Sequence, residues 1–227
     1  WNRELRSKNS VLVGGEGIKS REEMIDFITQ IRNKDNDNSA VSMADAVYTA
    51  CVFNTLFRMC KRVTLAAFSP IINGKGLFST LNDTITKRPT YFVFELYSKF
   101  SGDRVLDTFV DTSNYNLYFD LPAYNTNKYY DVPYIDAIAS YSEQRKKLYI
   151  AVVNRSKESS EKCSIQIDNF IIKGAKAHEI RSDSPDSYND LSRNDVYVKE
   201  TVLKIEGNNF IYEFLPHSVS ILEFDIE

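Results

Sequence analysis

Apolar positions follow two textures along the chain, and the change between them near residue 103 divides it. In the first part they recur at helical spacing. Ser20 with Glu23 three residues later makes a capping box, and Met24, Phe27, Ile28 and Ile31 then predict a helix of about three turns. Ser42 with Asp45 predicts a second capped start, and residues 44–60 contain neither Gly nor Pro. That helix is apolar nearly all round: Val47, Ala50, Cys51, Val52, Phe53, Leu56, Phe57 and Met59 leave a thin polar edge at Asp45, Asn54 and Arg58. It must lie between layers. Residues 63–68 (VTLAAF) form a continuous apolar run, the pattern of a strand covered on both faces. They lead into Ser69, Pro70 and Asn73-Gly74-Lys75-Gly76. This small polar loop suits either the pocket face of an α/β barrel or an ordinary strand-to-helix connection. Residues 76–79 are expected to be extended and 81–84 a turn. Thr86 can cap a further helix with Pro89 in its first turn, running to Ser101-Gly102. Residues 40–102 thus read as helix, buried strand, helix: one portion of an α/β barrel or of an open α/β sheet.

From Asp103 the helical period disappears. Short segments rich in Tyr, Val, Ile and Phe alternate with turn clusters: VLDTFVD, residues 134–141, KKLYIAVVNR, KCSIQIDNF, AKAHEIRS, NDVYVKE, TVLKIEG, NFIYEFL and SVSILEFDI. This is the pattern of an antiparallel β-sandwich, with residues 148–153 as a central strand and VSILEFDI as the last. The Tyr-rich residues 115–134, with Pro122 and Pro133, read as a loop crossing between the parts. Its aromatic faces and amide or carboxylate oxygens could hold a sugar ring, or it could be a polar interdomain connection.

Composition narrows the function. The 227 residues carry 28 basic and 31 acidic side chains and a net charge of −3, with no Lys/Arg stripe, which argues against a nucleic-acid partner. No apolar run approaches the roughly 20 residues of a membrane span, and WNRELRSKNS is neither a signal nor a transit peptide. Cys51, Cys60 and Cys163 form no C-x-x-C, and an odd number in apolar surroundings suits reduced thiols in a cytoplasm. His178 and His217 stand far apart, so no metal site is expected. Gly14-Gly15-Glu16-Gly17 lacks the Lys-Ser/Thr ending of a phosphate loop, and NKDNDN at 33–38 lacks the Gly and distal Glu of a Ca²⁺ loop. No nucleophile-base grouping has recognisable spacing, no cofactor is implied, and candidate carboxylates such as Glu16 and Asp136 are isolated.

Four segments in order carry a resemblance across nearly the whole chain: Trp1-Asn2; residues 43–78 (MADAVYTACVFNTLFRMCKRVTLAAFSPIINGKGLF); TKRPTYFVFELYSKFSGD with DVPYIDAIASY; and LYIAVVNRS with LPHSVSILEF. Together they resemble the C-terminal part of α-L-arabinofuranosidases of glycoside hydrolase family 51. The resemblance implies an α/β barrel remnant over residues 1–102, the last helix-strand-helix units of a (β/α)8 catalytic barrel. An antiparallel, jelly-roll-like β-sandwich would follow over residues 103–227. The family's nucleophile lies in a Glu-Trp-Asn sequence at the end of the seventh barrel strand. The chain begins at Trp1-Asn2, so both catalytic Glu residues would lie upstream of Trp1, and the isolated chain is expected to be inactive. Residues 62–68 would be the eighth strand, with Trp1, Asn2 and Asn73 at the sugar site. Where some members have Ala-Gln in the following loop, Ser69-Pro70 stands here, so no contact through that Gln is carried over. The implied substrates are arabinose-containing oligosaccharides, the implied location cytoplasmic, and the sandwich is implied to help identical subunits associate. A non-catalytic sugar-binding or structural module, or another barrel-plus-sandwich glycosidase such as a β-xylosidase, remain the alternatives.

Overall fold

A computed structural model describes residues 41–81, 83–121 and 126–227. Trp1, Asn2, the Gly-rich stretch and the first expected helix lie outside the described residues.

Two helices precede the sheets. Helix α1 (Met43–Arg58) starts at the expected box: Ser42 N–H donates to Asp45 Oδ2 at 2.8 Å, and Ser42 Oγ to the same oxygen at 3.2 Å. Its next free N–H groups find acceptors far along the chain, Met43 on the Ser187 carbonyl and Ala44 on that of Pro185, each at 2.8 Å. Strands β1 (Phe78–Leu81) and β2 (Thr84–Lys87) form a hairpin. Helix α2 (Pro89–Lys99) follows with Pro89 at its first position. Its cap is Arg88, because Thr86 is held in β2 opposite Ser79.

The remaining strands are β3 (Arg104–Leu106), β4 (Asn114–Leu121), β5 (Thr126–Pro133), β6 (Ile135–Ser142), β7 (Lys147–Asn154), β8 (Glu161–Gln166), β9 (Ile172–Arg181), β10 (Tyr197–Leu203), β11 (Asn209–Phe214) and β12 (Ser218–Ile226). Six of them make an antiparallel sheet in the order β10-β9-β12-β7-β6-β3, and β8 pairs with β11 in a second layer. The expected central strand, β7, lies between β6 and β12. Both of its faces are covered. Tyr149, Ala151 and Val153 point with Ile138, Ile180, Val219 and Ile221 towards Met43, Ala46, Ala50, Val93 and Leu96 of the helices. Leu148 and Val152 point with Ala137, Ala177, Leu222 and Phe224 towards Cys163, Ile165, Phe210 and Phe214 of the second layer. Coverage on both faces explains why β7 shows continuous apolarity rather than alternation.

Several expectations differ from the structure. Residues 63–68 form no strand, and Leu65 is 85% exposed. A strand exists only by pairing, and among the described residues none lies beside this run. The helix-strand-helix unit therefore lacks its middle element in this chain, and a barrel remnant is not formed as a sheet. Most of residues 115–134, expected as a crossing loop, instead form the β4–β5 hairpin, with Tyr115 opposite Val132 and Pro133 at its end, where a missing N–H is tolerated. NDVYVKE and TVLKIEG are one strand, β10, while of VLDTFVD only the start is strand, in β3.

Candidate functional site

The loop after the apolar run is a built structure. Ser69-Pro70 is a cis peptide, and Asn73 (φ 57°) and Gly74 (φ 49°) are left-handed, which asparagine and glycine tolerate best. Asn73 N–H donates to the Phe78 carbonyl at 2.8 Å, Phe78 N–H to that of Ile71 at 3.0 Å and Gly76 N–H to that of Asn73 at 2.7 Å. Gly76 is obligatory, since a Cβ there would stand 2.5 Å from the Ile71 carbonyl oxygen.

The Asn73 side chain closes the loop on β1. Its Oδ1 accepts from Thr80 N–H at 2.9 Å, and its Nδ2 donates to Thr80 Oγ1 at 2.9 Å. Beneath the turn, Arg88 Nη1 donates to the Gly74 carbonyl, and the Gly76 carbonyl stands 3.4 Å away. Burial lowers the proton affinity of Arg88 from its ordinary value. Aromatic pairs fasten the segment to α2: Phe68 on Phe94 at 5.1 Å and Phe78 on Tyr91 at 4.9 Å between centroids. Ile71, Ile72, Asn73 and Gly74 are left exposed on the crown.

A second polar cluster fixes the helices to the sheet. Asp136 of β6, with 6% of its side chain exposed, is held by Arg155 at 3.0 Å and by Arg58 from α1. Beside it, Tyr97 O–H donates to Asn54 Oδ1 at 2.6 Å, and Arg155 Nε donates to Cys51 Sγ at 3.3 Å. Burial pushes the Cys51 thiol up, outweighing Arg155, and pushes Tyr97 well up. A thiol kept protonated, facing a guanidinium already engaged by a carboxylate, is inert packing rather than a nucleophile.

The two sheets also leave an apolar cleft of about 730 Å³ between β6–β7 and β8, walled by Ile135, Leu148, Val152, Ile165, Phe170 and Phe214. Its rim carries Asp107, Asp111 and Asp168. Among the described residues there is no metal-ligating cluster of His, Cys, Asp and Glu, and no helix is long and apolar enough to cross a membrane. His178 lies beside Glu223 at 2.8 Å, stacked on Phe100 at 3.7 Å, while His217 meets backbone carbonyls of Lys157 and Ser182.

Asn73 sits on the loop, Asp136 lies in the helix–sheet cluster, and Trp1, Asn2 and Glu16 are outside the described residues. Sequence reasoning missed Arg88 and Asn189, which holds the neighbouring Lys87 carbonyl at 3.2 Å. Neither carries a local signal, because their partners are carbonyls that only folding brings near.

The family described as "Alpha-L-arabinofuranosidase C-terminal domain" matches residues 19–218. The chain belongs to this family. Among curated relatives, this arabinofuranosidase C-terminal domain is 26% identical over 153 residues to an intracellular exo-α-(1→5)-L-arabinofuranosidase of Streptomyces lividans, covering 66% of this chain and 22% of that one. It is 25% identical over 191 residues to a probable α-L-arabinofuranosidase C of Aspergillus clavatus, covering 82% and 35% respectively. Among solved structures, the α-L-arabinofuranosidase of Thermotoga maritima in its arabinose complex superposes with a TM-score of 0.74 at 28% identity, over 81% of this chain and 38% of that one. The domain thus spans about a fifth to two-fifths of the length of these relatives.

Proposed function

We propose that this domain is the C-terminal part of a retaining α-L-arabinofuranosidase acting on terminal α-L-arabinofuranosyl groups of arabinose-containing oligosaccharides. The observation that carries the reading is the family match over residues 19–218 together with the arrangement at residues 62–80. There an apolar run without a strand partner leads into a loop ordered by its own hydrogen bonds. In the intact protein residues 62–68 pair as the eighth barrel strand, and residues 1–102 belong to the catalytic barrel. The loop then walls the arabinose site, with Trp1, Asn2 and Asn73 as its sugar-binding residues. Residues 103–227 are the sandwich, which packs on the barrel and helps identical subunits associate. The Streptomyces lividans relative is named intracellular. Three free cysteines suit the same compartment here.

Retention needs two carboxyl groups about 5 Å apart, one attacking the anomeric carbon while the other protonates the leaving oxygen and later activates water. In this reading the catalytic barrel of the whole enzyme supplies both, and residues 62–80 contribute the loop at its mouth. The test is the turnover of an aryl α-L-arabinofuranoside by the intact gene product beside this chain. Activity of the first and silence of the second is expected. Turnover by this chain alone, or an intact product that cleaves only β-xylosides or nothing, overturns the reading.

A further inference from the structure

We propose that Arg88 and Asn189 form a strut through which the sandwich sets the pose of the 69–78 loop. Arg88 thereby acts as a positioning residue for sugar binding, an inference that rests on the reading of this loop as a wall of the arabinose site. The strut begins in the arm between β9 and β10. Asn189, 6% exposed, accepts from Val196 N–H through Oδ1 at 2.8 Å. Its Nδ2 faces two carbonyls, Val196 at 2.8 Å and Lys87 at 3.2 Å. The same arm supplies the Ser187 and Pro185 carbonyls that complete the N-terminus of α1. It is therefore anchored at both ends, and the Lys87 carbonyl is fixed relative to the sandwich.

Arg88 is the next residue. Its N–H donates to the Leu77 carbonyl at 3.0 Å, and Pro89 locks the backbone beyond it into α2. The side chain leaves from this fixed point and places one guanidinium nitrogen under the Gly74 and Gly76 carbonyls, on either side of the loop tip. Nothing else among the described side chains donates to those two carbonyls. A planar cation with several fixed donors can gather two carbonyls that would otherwise repel each other, and a lysine ammonium on a flexible stem does so less well. The tip above them, with Asn73 and Gly74, is the exposed crown. Losing the guanidinium frees the tip to move while the aromatic pairs Phe68–Phe94 and Phe78–Tyr91 keep its base in place.

The experiment uses the intact gene product with Arg88→Met, Arg88→Lys and Asn189→Ala, assayed on an aryl α-L-arabinofuranoside, with amide hydrogen exchange followed at residues 71–80. R88M is expected to raise KM about tenfold, the loss of charge-assisted hydrogen bonds from a binding wall, with kcat changed less than KM. R88K is expected to be intermediate and N189A to shift KM in the same direction. Exchange at 71–80 should quicken in each. A folded R88M with wild-type KM and exchange overturns the strut. So does R88K at wild-type KM if R88M does not fold, or a loss confined to the active fraction with KM unchanged. Wild-type KM in N189A removes the sandwich from the strut and overturns the inference in that form. An inactive wild type instead overturns the arabinofuranosidase reading, and exchange at 71–80 still decides whether Arg88 and Asn189 hold the loop.

Discussion

Asp136 on β6 holds the guanidinium of Arg155, just beyond β7, at 3.0 Å, and the same carboxylate receives Arg58 from α1. One buried anion therefore ties the helix layer to the sheet. Removing it leaves two cations facing each other in a poorly solvated pocket. Asp136→Ala is expected to destabilise the chain by about 2 kcal/mol, below the full cost of breaking a buried pair because the Arg58 side chain is 40% exposed. The shift of the urea midpoint at an unchanged slope measures it.

Tyr97 is 3% exposed and donates to Asn54 Oδ1 at 2.6 Å. Tyr97→Phe keeps the packing on Phe53 and Phe57 but leaves a buried amide oxygen short of a donor. The expected loss is about 1–2 kcal/mol, read from the same denaturation curves.

Gly102 approaches β6 so closely that a Cβ would stand 2.2 Å from the Tyr141 carbonyl carbon. The backbone cannot yield there without breaking the β3–β6 pairing that begins at Arg104 and Tyr141. Gly102→Ala is expected to cost about 3 kcal/mol. A thermal midpoint equal to that of the wild type would contradict this close approach.

Acid stability should depend on Glu223. Burial opposes its ionisation, but hydrogen bonds from Lys147 and His178 outweigh it and hold its carboxyl below the ordinary value of 4.5. A carboxyl depressed in the folded state contributes stability that is present above its unfolded value and lost as pH falls through its folded one. Urea midpoints should therefore hold down to about pH 4.5 and then drop, and Glu223→Gln should lower the neutral plateau and flatten that drop.

Leu65 tests the proposed barrel assignment of residues 62–68. At 85% exposure, Leu65→Asp is expected to change the stability of the 227-residue chain by less than about 0.5 kcal/mol. On the proposed barrel assignment, the same change in the intact gene product puts a carboxylate in a buried strand and should abolish folding or activity. Equal tolerance in both would argue against the barrel assignment of residues 62–68.

Several elements could be read from the sequence because their causes are local. Ser42 and Asp45 cap α1 at the expected place, Pro89 opens α2, and the apolar run at residues 148–153 marks a strand covered on both faces. What needs a partner distant in sequence could not be read in this way. Residues 63–68 carry the same apolar signal as β7 but are unpaired among the described residues, since hydropathy reports a capacity for burial and not the presence of a neighbour. The β4–β5 hairpin hid behind its Tyr, Asn and Pro content. Asp136 gave no sign of its two cations, because Arg58 lies 78 residues away in sequence. Arg88 and Asn189 meet only backbone groups, carbonyls and one N–H, which no motif can announce. Sequence by itself therefore determined the capped start of α1, the Pro89 opening of α2, the central strand at residues 148–153 and the family. The tertiary structure alone decided which carbonyls, cations and loop tip come together, because those contacts exist only once distant segments are packed against one another.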